Sequence, residues 1–562
     1  MAFFSPFSRR SSDRFSLRTT FRATHIASAV ALLGLSCAHA QSPTEITITD
    51  TVPSQISGFG DVPASKAPFS AISFDRQVLQ DIGAQRVSDA LRLDASVADS
   101  YNSPAYWDML SVRGYTLDNR YNYRREGLPI SAETMIGMDN KERIELFKGT
   151  SGIQAGTSAP GGLVNYVVKR APSNPAIAIR DVTLSYGPGN NRLSAADLGG
   201  RFGQEGDFGY RFNVAHEDLD PYIRDTKGYR DLIALAMDWC INSSNRLEWE
   251  FEQSHHEQIG VNFYSLLASD GPSNINRRLV LPAVVDGTRN ITRQPGSQPG
   301  VFDGITGSVR LKHQLDDGWM WRTQYGTQRL RADDRLTYAS GCQTSHPTNK
   351  QSDSFCLAPN TNGPLNNGDF EIHDFRSDNE RRQSEAVHTE LSGQTELGGL
   401  SHNIKFSLMR QRYVKRMPYA ADTLLGSTNS TYGGLNPPSG ATQYWPNTNA
   451  SDYSTEIAFN DHLSLSKATA AWLGLRHTQL NRSSIMTNGD GMVKDERGVT
   501  TPWLALSHQL DANYLIYTSY SEGLETQSAP SSNSYTNSGQ PLPALRSKQR
   551  EVGLKNQHER AQ

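Results

Sequence analysis

Along most of this chain apolar and polar residues take turns. Arg246-Leu247-Glu248-Trp249-Glu250-Phe251-Glu252 alternates charged and apolar side chains without a break, and Tyr210-Arg211-Phe212-Asn213-Val214 does the same. Ile404, Phe406 and Leu408 fall on one face and Lys405 and Ser407 on the other, while Val309 and Leu311 alternate with Arg310 and Lys312. A period of two belongs to extended strands, with one oily and one wet face. From about residue 176 onward nearly every segment is of this kind, with about 14 strand candidates after residue 178. Residues 71–99 differ. There a strand start runs through Phe74 to Gln77, and the apolar positions around Val87, Ala90 and Leu91 take helical spacing.

The connections between strands are unequal. Asp316-Asp317-Gly318, Gly398-Gly399 and Ser243-Ser244-Asn245 are short, whereas 256–304, 338–380, 417–452 and 526–547 are long and polar. Short turns at one end and long loops at the other are the asymmetry of an outer-membrane barrel. Soluble sandwiches alternate too, so alternation alone does not decide. Trp319, Trp321, Trp503, Tyr514 and Tyr517 stand near strand ends and suit interfacial girdles, although aromatics favour strands in any case. In hydrocarbon, backbone N–H and C=O groups cannot stay unpaired, so such a sheet must close on itself.

Composition sharpens this reading. In 562 residues, 36% are hydrophobic and 20% charged, with 46 Gly and 22 Tyr, a poor match to a helical membrane protein. A net charge of −3 offers no field for nucleic acid. At the N-terminus, Arg9, Arg10, Arg14, Arg18 and Arg22 precede a short apolar run, Ile26 to Leu35, and Ala38-His39-Ala40 fits a cleavage site. Residues 1–40 therefore read as a secretory signal peptide, and 41–65 as a polar tether. In the oxidising compartment beyond, Cys342 and Cys356 would either close a small disulfide loop or remain free thiols. Cys240 reads as a small apolar filler in a strand.

The segment from 66 to 175 carries an ordered set of motifs: Val112-Arg113-Gly114, Glu126-Gly127-Leu128-Pro129, Arg143-Ile144-Glu145, Gly149, Gly156, Pro160-Gly161-Gly162, Asn165 and Lys169-Arg170. This order closely resembles the plug domain of TonB-dependent receptors. Thr150, Ala155 and Tyr166 depart from the usual pattern. Later, Thr501 to Leu506, Tyr514 to Gly523 and Ser547 to Lys555 resemble barrel strands of the family's siderophore branch. The fold implied is mainly β: a transmembrane antiparallel β-barrel over 176–562 with an N-terminal α/β plug, 66–175, in its lumen. Such plugged transporters typically have 22 strands. Because relatives continue through further strands to a terminal aromatic, the sequence as given is expected to carry an incomplete barrel that does not close alone.

The resemblance also implies roles. Glu45, Ile46, Thr47, Ile48 and Thr49 resemble a TonB box, an extended segment that adds as a strand to an energy-transducing partner; a polar tail of chance composition is the alternative. Arg143, Glu145, Gly149, Gly156, Gly161, Gly162 and Asn165 are the plug-motif residues. Trp107, Arg113, Tyr115, Tyr121, Tyr123, Arg124 and Arg125 are candidates for ligand binding, with Arg complementing an anionic chelate and Tyr stacking on it. For Arg113 the favoured alternative is structural, pairing with wall carboxylates, whereas the cluster at 121–125 is open to either role. The expected function is active uptake of ferric siderophores across the bacterial outer membrane by a monomer in lipid, powered by TonB. No catalysis, protein metal site or cofactor is called for, since iron arrives chelated, and no nucleic acid is involved. The alternatives are another cargo (haem, cobalamin or a glycan) or a non-functional fragment.

Overall fold

The computed structural model describes residues 66–556, apart from 102, 104, 188, 262–285, 291, 341–368, 430–441, 526–541 and 543–544. The signal segment, Glu45 to Thr49, Cys342 and Cys356 lie outside the described residues.

The first strands form the α/β unit. They are β1 (Ala71–Asp75), β2 (Val97–Asp99), β3 (Leu110–Val112), β4 (Tyr115–Thr116), β5 (Tyr123–Arg125), β6 (Leu128–Pro129), β7 (Lys141–Lys148) and β8 (Gly162–Val168). Two short helices intervene, α1 (Arg76–Asp81) and α2 (Val87–Leu91). The Asp75 carboxylate starts α1 by accepting the Val78 N–H at 2.9 Å. A five-stranded sheet runs β1-β7-β8-β5-β6, and β2, β3 and β4 make a second small sheet. Leu110, Val112, Tyr123, Ile144, Leu146, Val164 and Tyr166 fill the core between them.

The rest of the chain builds one large antiparallel sheet. Its strands begin with β9 (Ile179–Tyr186), β10 (Arg192–Phe202), β11 (Phe208–Leu219), β12 (Gly228–Asn242), β13 (Asn245–Gln258), β14 (Gly300–Gln314), β15 (Met320–Ser340) and β16 (Asp369–Leu397). They continue with β17 (Leu400–Arg416), β18 (Ala420–Asn429), β19 (Gln443–Trp445), β20 (Thr448–Ser464), β21 (Thr469–Met486), β22 (Val493–Gln509), β23 (Tyr514–Glu525) and β24 (Leu545–Asn556). Sixteen strands belong to this sheet; β18 and β19 stand off the main path, and β9 and β24 are its two ends. Among the described residues those two ends do not pair with each other, so the sheet wraps the plug without closing. Among the described residues no helix is long and apolar enough to cross a membrane, which does not bear on strands.

The alternation resolves into a lumen and an outer surface. Glu248, Glu250 and Glu252 of β13 are buried at 4–5% exposure, while Phe251 between them is 44% exposed. Arg310 and Lys405 face inward, and Val309, Phe406 and Leu408 face outward. The charged side is the buried one, the reverse of a water-soluble sandwich, as expected of a sheet with hydrocarbon outside and a polar lumen. Trp321 faces outward, but Trp503 and Tyr517 point into the lumen, where Trp503 packs against Phe69 and Phe147. Aromatic preference for strands, not an interfacial girdle, accounts for these two. Cys240 also faces inward, with the Arg201 guanidinium 3.5 Å from its sulfur, instead of filling an apolar gap. His255 and His256, which read as the start of a loop, lie within β13.

Candidate functional site

The short connections that follow β10, β12, β14, β16, β20 and β22 lie at one end of the barrel, and the longest ones, after β13, β15, β17 and β23, lie at the other, here called the outer end. There the plug presents aromatic side chains to the wall. Tyr106 and Trp107 are 3.9 Å apart between ring centroids, Trp107 meets Phe302 edge-on at 5.5 Å, and Tyr101 lies 5.7 Å from Tyr106. The Arg382 guanidinium stands over the Trp107 ring at 5.6 Å and pairs with Glu133 of the plug. Tyr106 donates to the Asp334 carboxylate at 2.8 Å. Burial, then the Asp334 charge, push the Tyr106 phenol well above its usual range, so it stays a hydrogen-bond donor. A cavity of about 180 Å³ opens beside Tyr101, Tyr106 and Phe302.

A second outer position centres on Tyr121. Its hydroxyl donates to Asp452 at 2.5 Å, and the guanidiniums of Arg120 and Arg482 lie 5.0 and 5.5 Å from its ring. Trp107, Phe302, Tyr121 and Arg382 are themselves buried, so these groups form a packed cluster of aromatic rings and guanidiniums between the outer side of the plug and the wall.

Of the ligand candidates, the fold brings Trp107 and Tyr121 into this cluster, both buried. Tyr123 is wholly buried in the plug core. Arg113 sits in the tight turn between β3 and β4, with φ of 52° followed by 83° at Gly114, and its guanidinium is 3.9 Å from Glu551. Tyr115 follows it and is largely exposed. Arg124 and Arg125, neighbours on β5, point to opposite sides, as strand geometry requires. Arg124 is buried, with one long bond to the Tyr123 carbonyl at 3.5 Å.

Arg125 belongs to a set of ion pairs that fasten the plug to the wall. It reaches Glu250 at 2.5 Å and Glu252 at 2.6 Å, and Lys141 shares Glu252 at 2.8 Å. Glu126 receives Arg310 of the wall at 2.5 Å and Arg170 at 3.2 Å. Burial works to raise the Glu126 carboxyl, but those two guanidiniums and the Val168 N–H outweigh it and hold the group well below the usual carboxylate range. Lys169 meets Asp197 at 2.8 Å, and Arg230 of β12 meets Asp139 at 2.6 Å.

The motif residues are structural in the same sense. Arg143 donates to Glu145 at 2.9 Å, and Asn165 bridges, donating its amide N–H to Glu145 at 2.9 Å and accepting the Gly127 N–H at 3.0 Å. Gly156 lies so close to the wall that a Cβ there would stand 2.6 Å from the Glu456 carboxyl, which accepts the Gly156 N–H at 3.1 Å. Gly149, Gly161 and Gly162 likewise lie where backbone or side chains pass closely. Tyr101, Tyr106, Arg120 and Glu133 were not singled out from sequence, although Tyr106 adjoins Trp107. Phe302, Arg382, Asp452 and Arg482 lacked any signal short of the strand register. Among the described residues, no group of three or more His, Cys, Asp or Glu is arranged to hold a metal ion.

A small mixed sheet bolted by ion pairs inside an antiparallel wall defines a plugged outer-membrane receptor. The family model "TonB-dependent Receptor Plug Domain" matches residues 63–163, and "TonB dependent receptor-like, beta-barrel" matches residues 249–562. The chain belongs to the TonB-dependent receptors. It is similar to the ferrichrome receptor FcuA of Yersinia enterocolitica, 27% identical over 216 residues, 37% of this chain and 28% of that protein. It also resembles the catecholate siderophore receptor Fiu of Escherichia coli, 26% identical over 275 residues, 47% of this chain and 35% of the relative. The chain thus spans less than half the length of these curated relatives. The crystal structure of BauA, the ferric preacinetobactin receptor from Acinetobacter baumannii, shares the fold with a TM-score of 0.71 at 18% identity, covering 90% of this chain and 70% of that one.

Proposed function

We propose that this chain is an outer-membrane receptor for ferric siderophores, energised through TonB. The observation that carries this reading is the aromatic and arginine-rich cluster of Tyr106, Trp107, Phe302, Arg382 and Tyr121 packed at the outer side of the plug, with a cavity of about 180 Å³ beside Tyr101, Tyr106 and Phe302. A chelate with planar iron-binding groups and residual negative charge that settles over this cluster would meet aromatic side chains and guanidiniums. The relatives named as ferrichrome and catecholate siderophore receptors support the cargo class. Iron enters as part of that substrate, and no resident cofactor is required of the protein. Glu45 to Thr49 would supply the extended segment that pairs with TonB.

In this reading the chelate settles on the outer surface and biases the plug toward a TonB-accessible state, by as much as it binds that state better. Force on the tether then loosens the plug from the wall. The test is growth of an iron-starved host lacking its own receptors, with this chain supplied and single ferric siderophores added. Rescue by a hydroxamate or catecholate chelate, lost on replacing Ile46 and Ile48 with proline, is the expected result. Rescue by haem or cobalamin alone would overturn the cargo.

A further inference from the structure

The bonds between plug and wall are unevenly spread around the barrel. Along β10 to β14 ion pairs hold the plug, through Asp197, Arg230, Glu250, Glu252 and Arg310. Along β20 to β24 hydrogen bonds hold it: Gly156 to Glu456, Arg476 to the Ile153 carbonyl, and Thr150 to Ser521 and Gln549. Between these arcs, among the described residues, β17 makes no hydrogen bond or ion pair with the plug, and β16 makes one, from Arg382 to Glu133 near the outer end. There β15 is bonded to the plug only from its middle outward, by Gln328 to Ser131 and by Asp334 to Tyr106.

The wall along this seam suits a polar cargo. The register sets Gly326, Ala386 and Gln411 side by side across the three strands. Further from the outer end, Arg322 and Lys405 share Glu390 at 3.0 and 2.6 Å, two cations on one carboxylate. Against Gly326 the plug sets only a Leu128 methyl, which a Cβ there would meet at 2.5 Å, so parting the two breaks no hydrogen bond. Buried donors without acceptors are rare in folded proteins. Here the Arg322 Nε, the Gln324 Nε2 and the Tyr413 hydroxyl of the wall have none among the described residues, and neither has the Arg124 Nε of β5. Arg124 is 1% exposed, and its one bond is the long contact with the Tyr123 carbonyl. The Glu456 charge that acts on it is already taken by Arg476 and the Gly156 N–H. A buried guanidinium with no carboxylate of its own calls for an anion.

We propose that the chelate crosses the barrel through this seam, between β5 and β6 of the plug and β15 to β17 of the wall, with Arg124 receiving its anionic oxygens on the way. The proposal rests on the siderophore reading above and adds the route. Pulling on the tether opens the plug first where the fewest bonds hold it. There the parted faces present donors still without acceptors, and guanidinium forks match carboxylate-like oxygens in pairs.

The experiment follows surface binding and uptake of two labelled chelates, an anionic ferric tris-catecholate and a neutral ferric trihydroxamate, in iron-starved cells carrying the full chain. Leu128→Cys with Gly326→Cys locks the seam by a disulfide, and Thr150→Cys with Ser521→Cys, whose hydroxyls are hydrogen-bonded, locks the plug to β23 instead. Expected is that the first lock stops uptake with surface binding intact, that reduction restores uptake, and that the second lock leaves most of it. Arg124→Gln should slow uptake of the tris-catecholate by about tenfold, the worth of one charged hydrogen bond, while sparing the trihydroxamate and the surface binding of both. Arg124→Lys should restore part of the loss. Uptake through the locked seam, equal arrest by both locks, or equal slowing of both chelates by Arg124→Gln overturns the proposal. Failure of the unmodified chain to bind either chelate would overturn the cargo reading instead.

Discussion

Arg125 and Arg113 carry the same charge twelve residues apart, yet their surroundings separate them. Arg125 is buried between Glu250 and Glu252, whereas the Arg113 side chain is 38% exposed and 3.9 Å from the Glu551 carboxylate. Removing one partner of a buried pair leaves the other charge stranded, at about 3–5 kcal/mol, whereas an exposed pair is worth under about 1 kcal/mol. Arg125→Ala should therefore loosen the plug strongly and Arg113→Ala barely, read as protease cleavage of the plug in membranes. Equal sensitivity of the two variants would contradict the assignment. At the outer surface, Trp107→Ala removes the face on which Arg382 and Tyr106 rest. Siderophore affinity should fall roughly 10- to 100-fold, as for buried aromatic anchors, in a fluorescence titration. Glu126 supplies a test in pH. Its carboxyl is depressed in the folded state, so its contribution is present above the ordinary carboxylate pKa of about 4 and is lost as pH falls through the folded value. Glu126→Gln should be less stable than the unmodified chain at pH 7, with the gap closing in strong acid. A gap independent of pH in thermal melts would rule this out.

At the scale of elements, β21 shows how an alternating strand is used here. Leu473 and Leu475 face outward at 40% and 50% exposure, while Arg476 between β20 and the plug pairs with Glu456 at 2.5 Å and donates to the Ile153 carbonyl at 2.6 Å. The outward side turns polar at Gln479 and Asn481. An arginine near the middle of a bilayer costs about 2–4 kcal/mol, and near the interface about 0–1. Leu475→Arg should accordingly destabilise the barrel by the larger amount and Asn481→Arg by the smaller, in denaturant unfolding from lipid vesicles. Equal costs would place β21 outside a membrane. Both the strand and its oily face were readable from alternation. That the charged side is the buried one was not, since period two looks the same whichever face meets water.

For the whole molecule, plug and wall depend on each other. Lys141 is wholly buried, with its charge met by Glu252 of β13, and Glu126 is met by Arg310 of β14. Cut away from the wall, these groups would face water or one another, and the remaining core rests on a small sheet and two short helices. Residues 66–175 expressed alone should lack fixed tertiary packing, seen as a weak near-ultraviolet circular dichroism signal. A cooperative melt of that segment would show that the wall is not needed.

The amino-acid order alone determined the class of element, the position of the plug and the family to which it belongs, because alternation, turn residues and the glycine-rich motifs are local properties of the chain. It also marked Trp107 and Tyr121, whose aromatic chemistry is visible in any context. Only the tertiary structure decided that Arg125 faces the wall, that Tyr123 fills the core, and that Phe302, Arg382 and Arg482 join the plug at the outer surface. Those facts depend on which strands pair and in which register, and a one-residue slip would turn each side chain to the other face.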